Sequence, residues 1–107
     1  GWCLPCMEAM SCGLPLLATN YSGPAAFMSE ENAFPIRVKF VHANTLQAEP
    51  DVDHLRERMR RVCIDRVAAQ AKGRQARSDV LERFSGERVA HVVLERLQRI
   101  VAAGPQG

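Results

Sequence analysis

Glycine and proline divide the first two dozen residues so tightly that the chain has few ways to run through them. Pro5 suits the first turn of a helix, where its missing N–H is one of the unpaired donors in any case. Gly13 can close that helix in a left-handed conformation, and Pro15 just beyond prevents it from resuming. The helix between them is only about two turns long. Leu16 to Thr19 follows as a short apolar run, the kind that fits a strand buried on both faces of a parallel sheet. Asn20 to Pro24 reads as a loop, and Pro24 can open a second short helix running to Met28.

Beyond this stretch the pattern changes twice. Residues Ala33 to Val41 alternate in part, with Phe34, Ile36, Val38 and Phe40 on one side and Pro35, Arg37 and Lys39 on the other. That predicts one half-exposed strand, whose Pro35 belongs at a sheet edge or in an irregular extension. His42 to Glu49 reads as a polar loop. The remainder reads as three helices. The first begins with Pro50 in its first turn and aligns Val52, Leu55, Met59 and Val62. The second runs from about Asp65 to Phe84 through Val67, Ala71, Ala76, Val80 and Leu81, with Gly73 as a tolerated weak point. Ser85 caps the third, whose Val89, Val92, Val93, Leu97, Ile100 and Val101 recur at helical spacing. The expected class is therefore α/β, a partial doubly wound layer of two short strands followed by three helices. Residues 1–49 form the α/β segment, 50–103 the helical segment, and 104–107 a disordered tail. Two strands cannot make a doubly wound sheet alone, so the chain reads as the trailing part of something larger.

Composition narrows the function classes. The 107 residues suffice for one core, and 47% hydrophobic with 24% charged residues is ordinary globular usage. No run is long and apolar enough for a transmembrane segment, and no secretory leader is read at the start. From Asp51 onward twelve Lys and Arg stand against eight Asp and Glu, whereas Gly1 to Pro35 holds three Glu and no basic residue. Because opposite charges are interspersed and no aromatic platform accompanies them, this reads as a solvated helical surface, with no nucleic acid as partner. Three of the four cysteines, Cys3, Cys6 and Cys12, crowd into one stretch while Cys63 stands apart. That is unlike a secreted disulfide framework and points to a reducing, cytoplasmic setting or the cytosolic face of a membrane.

Trp2-Cys3-Leu4-Pro5-Cys6 admits more than one chemistry. It resembles the thioredoxin active site, in which a helix N-terminus activates the first thiol. However, Leu4 stands where that pattern has Gly, and the helix stops at Gly13. A zinc site would need two further ligands at a second spacing, which Cys12, Cys63, His42, His54 and His91 do not supply. The simplest reading takes the cysteines as small buried apolar residues and the three histidines as surface or helix-face residues.

The whole stretch carries a wider resemblance. Gly1-Trp2-x-Leu4-Pro5-x-x-Glu8-Ala9-Met10-x-Cys12-Gly13-Leu14-Pro15, followed by Ala18-Thr19-Asn20-x-Ser22-Gly23-Pro24, resembles the nucleotide-sugar-binding segment of GT-B glycosyltransferases of family 4 (group 1). Glu49-Pro50, the basic helix after it and Arg83-Phe84-Ser85 are also similar to that family. The family pairs two glutamates with seven residues between them. Glu8 matches the second, and the first would lie immediately before Gly1. Cys3 departs from the pattern, standing where the family usually has Gly, and Ala26 stands where related sequences often place Glu.

The resemblance implies the C-terminal, donor-binding part of a retaining hexosyltransferase. Such an enzyme moves a hexose from a nucleoside-diphosphate sugar to an acceptor hydroxyl, with no cofactor and no obligatory metal. It implies that Gly1, Trp2, Cys3 and Leu4 supply loop donors to the diphosphate and sugar, and that Glu8 accepts hydrogen bonds from the ribose. A glycine-containing loop feeding a helix N-terminus has the partial positive charge for this task. Trp2 could stack on a ligand, but lacking a second aromatic nearby in sequence it reads rather as a packing residue. Thr19 and Ser22, at the carboxyl end of a strand, are candidate lining residues. The partners implied are the nucleotide sugar and an N-terminal acceptor domain absent from these residues, so the segment alone is expected to be inactive. Two alternatives remain open: a thioredoxin-like thiol-disulfide module built on Cys3 and Cys6, and a non-catalytic helical interaction fragment.

Overall fold

The computed structural model describes residues 1–105. Gln106 and Gly107, part of the expected tail, lie outside the described residues. Helix α1 (Leu4–Ser11) leads into strand β1 (Leu17–Thr19), a 3-10 turn (Gly23–Ala26) and strand β2 (Phe34–Ile36). Strands β3 (Val38–Val41) and β4 (Ala48–Pro50) follow, then helices α2 (Val52–Ile64), α3 (Arg66–Phe84) and α4 (Gly86–Ala103). The fold is thus α/β with three C-terminal helices, but it has four short strands where the alternation predicts two.

The predicted helix stop is realised in full. Gly13 adopts φ 73°, its N–H donates to Met10 O at 2.9 Å, and Leu14 N–H donates to Ala9 O at 3.1 Å. These two bonds form a Schellman cap. β1 then pairs in parallel with β2, Ala18 opposite Pro35. Because Phe34 N–H donates back to Leu16 O and Asn20 N–H to Ile36 O, the proline's missing donor falls on the outer edge of β2, where the ladder does not need it.

The single strand predicted over 33–41 is broken at Arg37. Its N–H donates to His54 Nδ1 at 2.8 Å and its carbonyl accepts from Asp51 N–H at 2.8 Å. The start of α2 takes both backbone groups, so the chain leaves one sheet and enters another. There β3 pairs antiparallel with β4, and residues 42–47 become the turn of a hairpin. Pro50 ends β4 and does not open α2. Asp51 is the helix cap, its carboxylate accepting from His54 N–H at 3.1 Å. His54, expected on a surface or a helix face, lies on α2 and is tucked under this junction with 13% of its side chain exposed. Asp65 and Ser85 cap α3 and α4 in the same manner, accepting from Ala68 and Arg88 N–H.

The core joins α1, α3 and the β1–β2 layer through Cys6, Met10, Leu16, Phe27, Met28, Ala33, Ala76 and Val80. The buried face of α3 is Ala69, Gly73, Ala76 and Val80, whereas Val67 and Leu81 point outward. Gly73 is a contact point, since a Cβ there would lie 2.2 Å from Gly13 O. Asn32, 3% exposed, fastens the turn before β2 to α3. Its amide donates to Phe27 O at 3.1 Å and to Asp79 Oδ2 at 2.8 Å, while its oxygen accepts from Ser29 N–H. α4 follows its predicted stripe yet buries no residue, and the molecule extends 57 × 38 × 18 Å.

Several basic side chains of α2 and α3 reach back along the chain. Arg58 grips Glu30 with bonds of 3.0 and 2.7 Å, Lys72 binds the carbonyls of Glu30 and Ala33, and Arg77 binds Ser11 O. Partial desolvation opposes ionisation of Glu30, but Arg58 and Lys72 together hold its carboxyl below the ordinary 4.5. The hydrogen bond from His54 N–H, then the Arg37 guanidinium, hold Asp51 below the ordinary 3.8. A carboxyl depressed in the folded state contributes stability that is present above its unfolded pKa and lost as pH falls through the folded one. Urea titrations are therefore expected to give a constant midpoint near neutrality and a falling one as the pH drops below the unfolded values, 4.5 and 3.8. Glu30→Gln should lower the neutral midpoint and make the acid limb shallower. An acid limb identical to that of the parent chain would refute the assignment.

Candidate functional site

One cleft of about 700 Å³ lies where α1 begins and β1 ends. Gly1, Cys3 and Cys6 line one wall, Ala18 and Thr19 the floor, Tyr21, Ser22 and Pro24 a second wall, and Leu46, Gln47 and Ala48 of the β3–β4 hairpin the third. It sits at the carboxyl end of a parallel strand and beside a helix N-terminus, the position at which open α/β sheets bind ligands. Its size is that of a small-molecule site.

The backbone around it is unusual. Among the described residues three that are not glycine have positive φ: Cys3 at 68°, Ser22 at 57° and Leu46 at 55°. All three line this cleft. Such conformations cost on the order of 1–3 kcal/mol each and persist where surrounding structure enforces them, typically at functional sites. The third side of the enforcement is close packing, since a Cβ on Gly23 would lie 2.1 Å from Gly1 O and 2.6 Å from Trp2 Cα. At the start of α1, the N–H groups of Trp2, Cys3 and Leu4 donate to no other described residue. Cys3 O, in contrast, accepts from both Cys6 and Met7 N–H, at 3.1 and 3.2 Å. Three successive unpaired donors at the positive end of a helix suit an anion.

The residues singled out from the sequence do not all converge. Gly1, Cys3, Thr19 and Ser22 meet in the cleft. Trp2 turns away and packs against Phe27 and Phe84, with ring centroids 5.1 and 5.7 Å apart, so its contact partners are internal ones. Leu4 is 66% exposed and, with Pro5, Glu8 and Cys12, lies along the solvent stripe of α1. The Glu8 carboxylate makes no hydrogen bond to a described residue. Its backbone carbonyl accepts from Ser11 Oγ at 2.7 Å and from Cys12 N–H at 3.1 Å.

The cysteines differ from expectation. Cys3 and Cys6 form a disulfide, Cys12 and Cys63 are exposed thiols, and Cys6 alone sits in the core as a buried apolar residue would. Tyr21, Leu46 and Gln47 carried no sequence signal. Leu46 in particular holds a left-handed turn without glycine or asparagine, the residues that would have announced it. Among the described residues no group of three or more His, Cys, Asp and Glu is placed to hold a metal ion, and no helix is long and apolar enough to cross a membrane.

A cleft formed by a short helix N-terminus, a parallel strand end and strained turns is the candidate site of this α/β chain, with donors suited to an anionic group. Comparison with known families makes this specific: a family profile described as family 4 glycosyltransferase in conflict systems matches residues 1–93. The chain belongs to that family. No curated protein and no solved structure gives a significant match.

Proposed function

We propose that these residues are the donor-binding part of a retaining glycosyltransferase that moves a hexose from a nucleoside-diphosphate sugar to an acceptor hydroxyl. The observation that carries this reading is the row of free N–H groups at Trp2, Cys3 and Leu4, set at the start of α1 next to the cleft that Gly1 and Cys3 line. A departing diphosphate gains charge as the glycosidic bond breaks. Fixed amide donors and a helix N-terminus stabilise that charge where it develops, without moving during the reaction. By family resemblance the step needs no obligatory metal. Thr19 and Ser22 offer hydroxyls to the sugar or phosphates from the opposite wall.

Glu8 takes the ribose in this reading. It stands one helical turn beyond the cleft rim on the exposed stripe of α1, so the nucleoside would lie over the outside of that helix while the diphosphate occupies its N-terminus. A carboxylate free of internal partners is available for two hydroxyls. The apolar stripe of α4, bare among the described residues, packs in the whole enzyme against the acceptor-binding domain. Transfer then requires that domain, and the present residues alone hold nucleotide weakly.

The test is a titration of the isotopically labelled chain with adenosine, guanosine and uridine diphosphates, followed by amide NMR. Shifts are expected at Trp2–Leu4, Thr19 and Ser22 for at least one nucleotide. Glu8→Gln is expected to weaken that binding about tenfold, the scale of a lost charge-assisted hydrogen bond, with no change in melting temperature. Shifts confined to the α2–α4 surface, or an affinity indifferent to Glu8, would reject the reading.

A further inference from the structure

Cys3 occupies a backbone conformation that suits glycine, φ 68° and ψ 69°, and it does so as the residue that caps α1. A cysteine can accept this position only if something holds it. No side-chain hydrogen bond caps the helix there. Close packing of Gly1 and Trp2 against Gly23 holds it from one side, and the bond from its sulfur to that of Cys6, a member of the core cluster with Met10 and Phe27, holds it from the other. The disulfide therefore ties the Gly1–Cys3 rim of the cleft to the packed interior.

We propose that Cys3 and Cys6 form a redox latch on this cleft, closed as the disulfide and opened by a dithiol reductant. Its effect on donor binding rests on the glycosyltransferase reading above. Its effect on the loop does not.

The two sulfurs are unequal in the way exchange chemistry requires. Both line the cleft, but Cys3 is half-buried whereas Cys6 is 8% exposed, so an incoming thiolate reaches the Cys3 sulfur first. Attack on Cys3 Sγ forms a mixed disulfide and expels Cys6 as a thiolate. Cys6 lies in the first turn of α1, where the helix N-terminus favours negative charge on a leaving group. The second thiol of the reductant then attacks the mixed disulfide and releases Cys3. Two electrons pass from the dithiol, which becomes a disulfide, to the Cys3–Cys6 bond, which becomes two thiols, and the two protons follow. With the cross-link gone, Cys3 is an ordinary L-residue in a left-handed turn and relaxes toward negative φ. That swings Gly1 and Trp2 away from Gly23 and disperses the three amide donors.

The experiment compares the full chain equilibrated with a disulfide oxidant and with a dithiol reductant. Alkylation and intact mass should find two reactive thiols in the oxidised chain, Cys12 and Cys63, and four in the reduced one. Trp2, the single tryptophan of the 107 residues, reports the loop, and acrylamide should quench it more strongly after reduction. Affinity for the best-binding nucleoside diphosphate should fall about tenfold on reduction, the scale of a left-handed L-residue released. Cys6→Ala removes the bond from the core side, so its Trp2 quenching should match that of the reduced parent under both conditions and no longer follow the redox state. Four alkylated thiols in the oxidised chain, or Trp2 quenching equal in both states, would overturn the latch. Nucleotide bound equally by both forms with Trp2 unmoved leaves the donor reading standing and removes the latch. Trp2 following the redox state with no nucleotide bound by either form does the reverse.

Discussion

Replacing Gly73 by alanine is expected to destabilise the chain by roughly 3 kcal/mol, against the general rule for helices. In an ordinary helix interior alanine is favoured over glycine by about 1 kcal/mol. Here the new Cβ would lie 2.2 Å from Gly13 O and 3.0 Å from Gly13 C. The opposing atoms are backbone, fixed by the Schellman bonds that end α1, so no side chain can rotate out of the way. α1 would have to lift from α3, unpacking Met10, 0% exposed, from Ala76, also 0% exposed. For a domain of this size the loss lowers Tm by on the order of 15 °C. Gly13→Ala separates contact from conformation. Its Cβ would meet only Arg77 Cδ and Gly73 O at 3.8 Å, so it pays the left-handed penalty alone, about 1 kcal/mol. Thermal denaturation of both variants checks the pair, and a Gly73→Ala chain as stable as its parent would contradict the packing.

This contrast marks what the sequence could disclose. Punctuation that acts within a few residues was readable: Pro5 starting α1, Gly13 ending it, Ser85 capping α4. Each is chemistry between near neighbours in the chain. Gly73 looked like a weak point because its reason lies sixty residues earlier, in a helix end that only folding brings to it. The same distance hid Asn32, whose partner Asp79 is on α3, and the break at Arg37, where α2 claims both backbone groups. Alternation of Phe34, Ile36, Val38 and Phe40 is a true record of extended backbone, but periodicity does not say that the sheet changes midway. The basic residues after Asp51 were correctly placed on helices, yet Arg58, Lys72 and Arg77 serve as ties to the first segment and not only as a solvated face. In the cleft, family resemblance pointed to Gly1 and Cys3, and the place of Thr19 and Ser22 at the carboxyl end of a strand pointed to those two. The hairpin wall from Leu46 to Ala48 was invisible because a loop of polar residues carries no signal for what it will lean against.

Gly23 is where stability and the cleft meet, and Gly23→Ala is expected to damage both. Its Cβ would sit 2.1 Å from Gly1 O and 2.8 Å from Gly1 C, distances that force the first two residues outward by more than a side-chain adjustment. Trp2 is the next atom group in line, at 2.6 Å, and moving it breaks its packing with Phe27 and Phe84. The stability loss should be roughly 2 kcal/mol, in the range of overpacked backbone contacts and below that of a deleted core aromatic, because Trp2 is already 42% exposed. The cleft is damaged as well, since its rim donors and Gly1 move together. Nucleoside diphosphate affinity should fall at least about tenfold. Ser22→Gly provides the opposite sign at the adjacent position. Ser22 holds φ 57° and ψ −133°, a region that is nearly glycine's own, so the substitution relieves strain of roughly 1 kcal/mol and raises Tm. Both neighbouring turn positions thus favour glycine over a larger residue, one for want of space and the other for its conformation, so the two substitutions, made in opposite senses, shift Tm in opposite directions. Denaturation curves and Trp2 emission for the two variants read both effects, and a shift of the same sign in each would mean that the turn is not held against Gly1 and Trp2 as described.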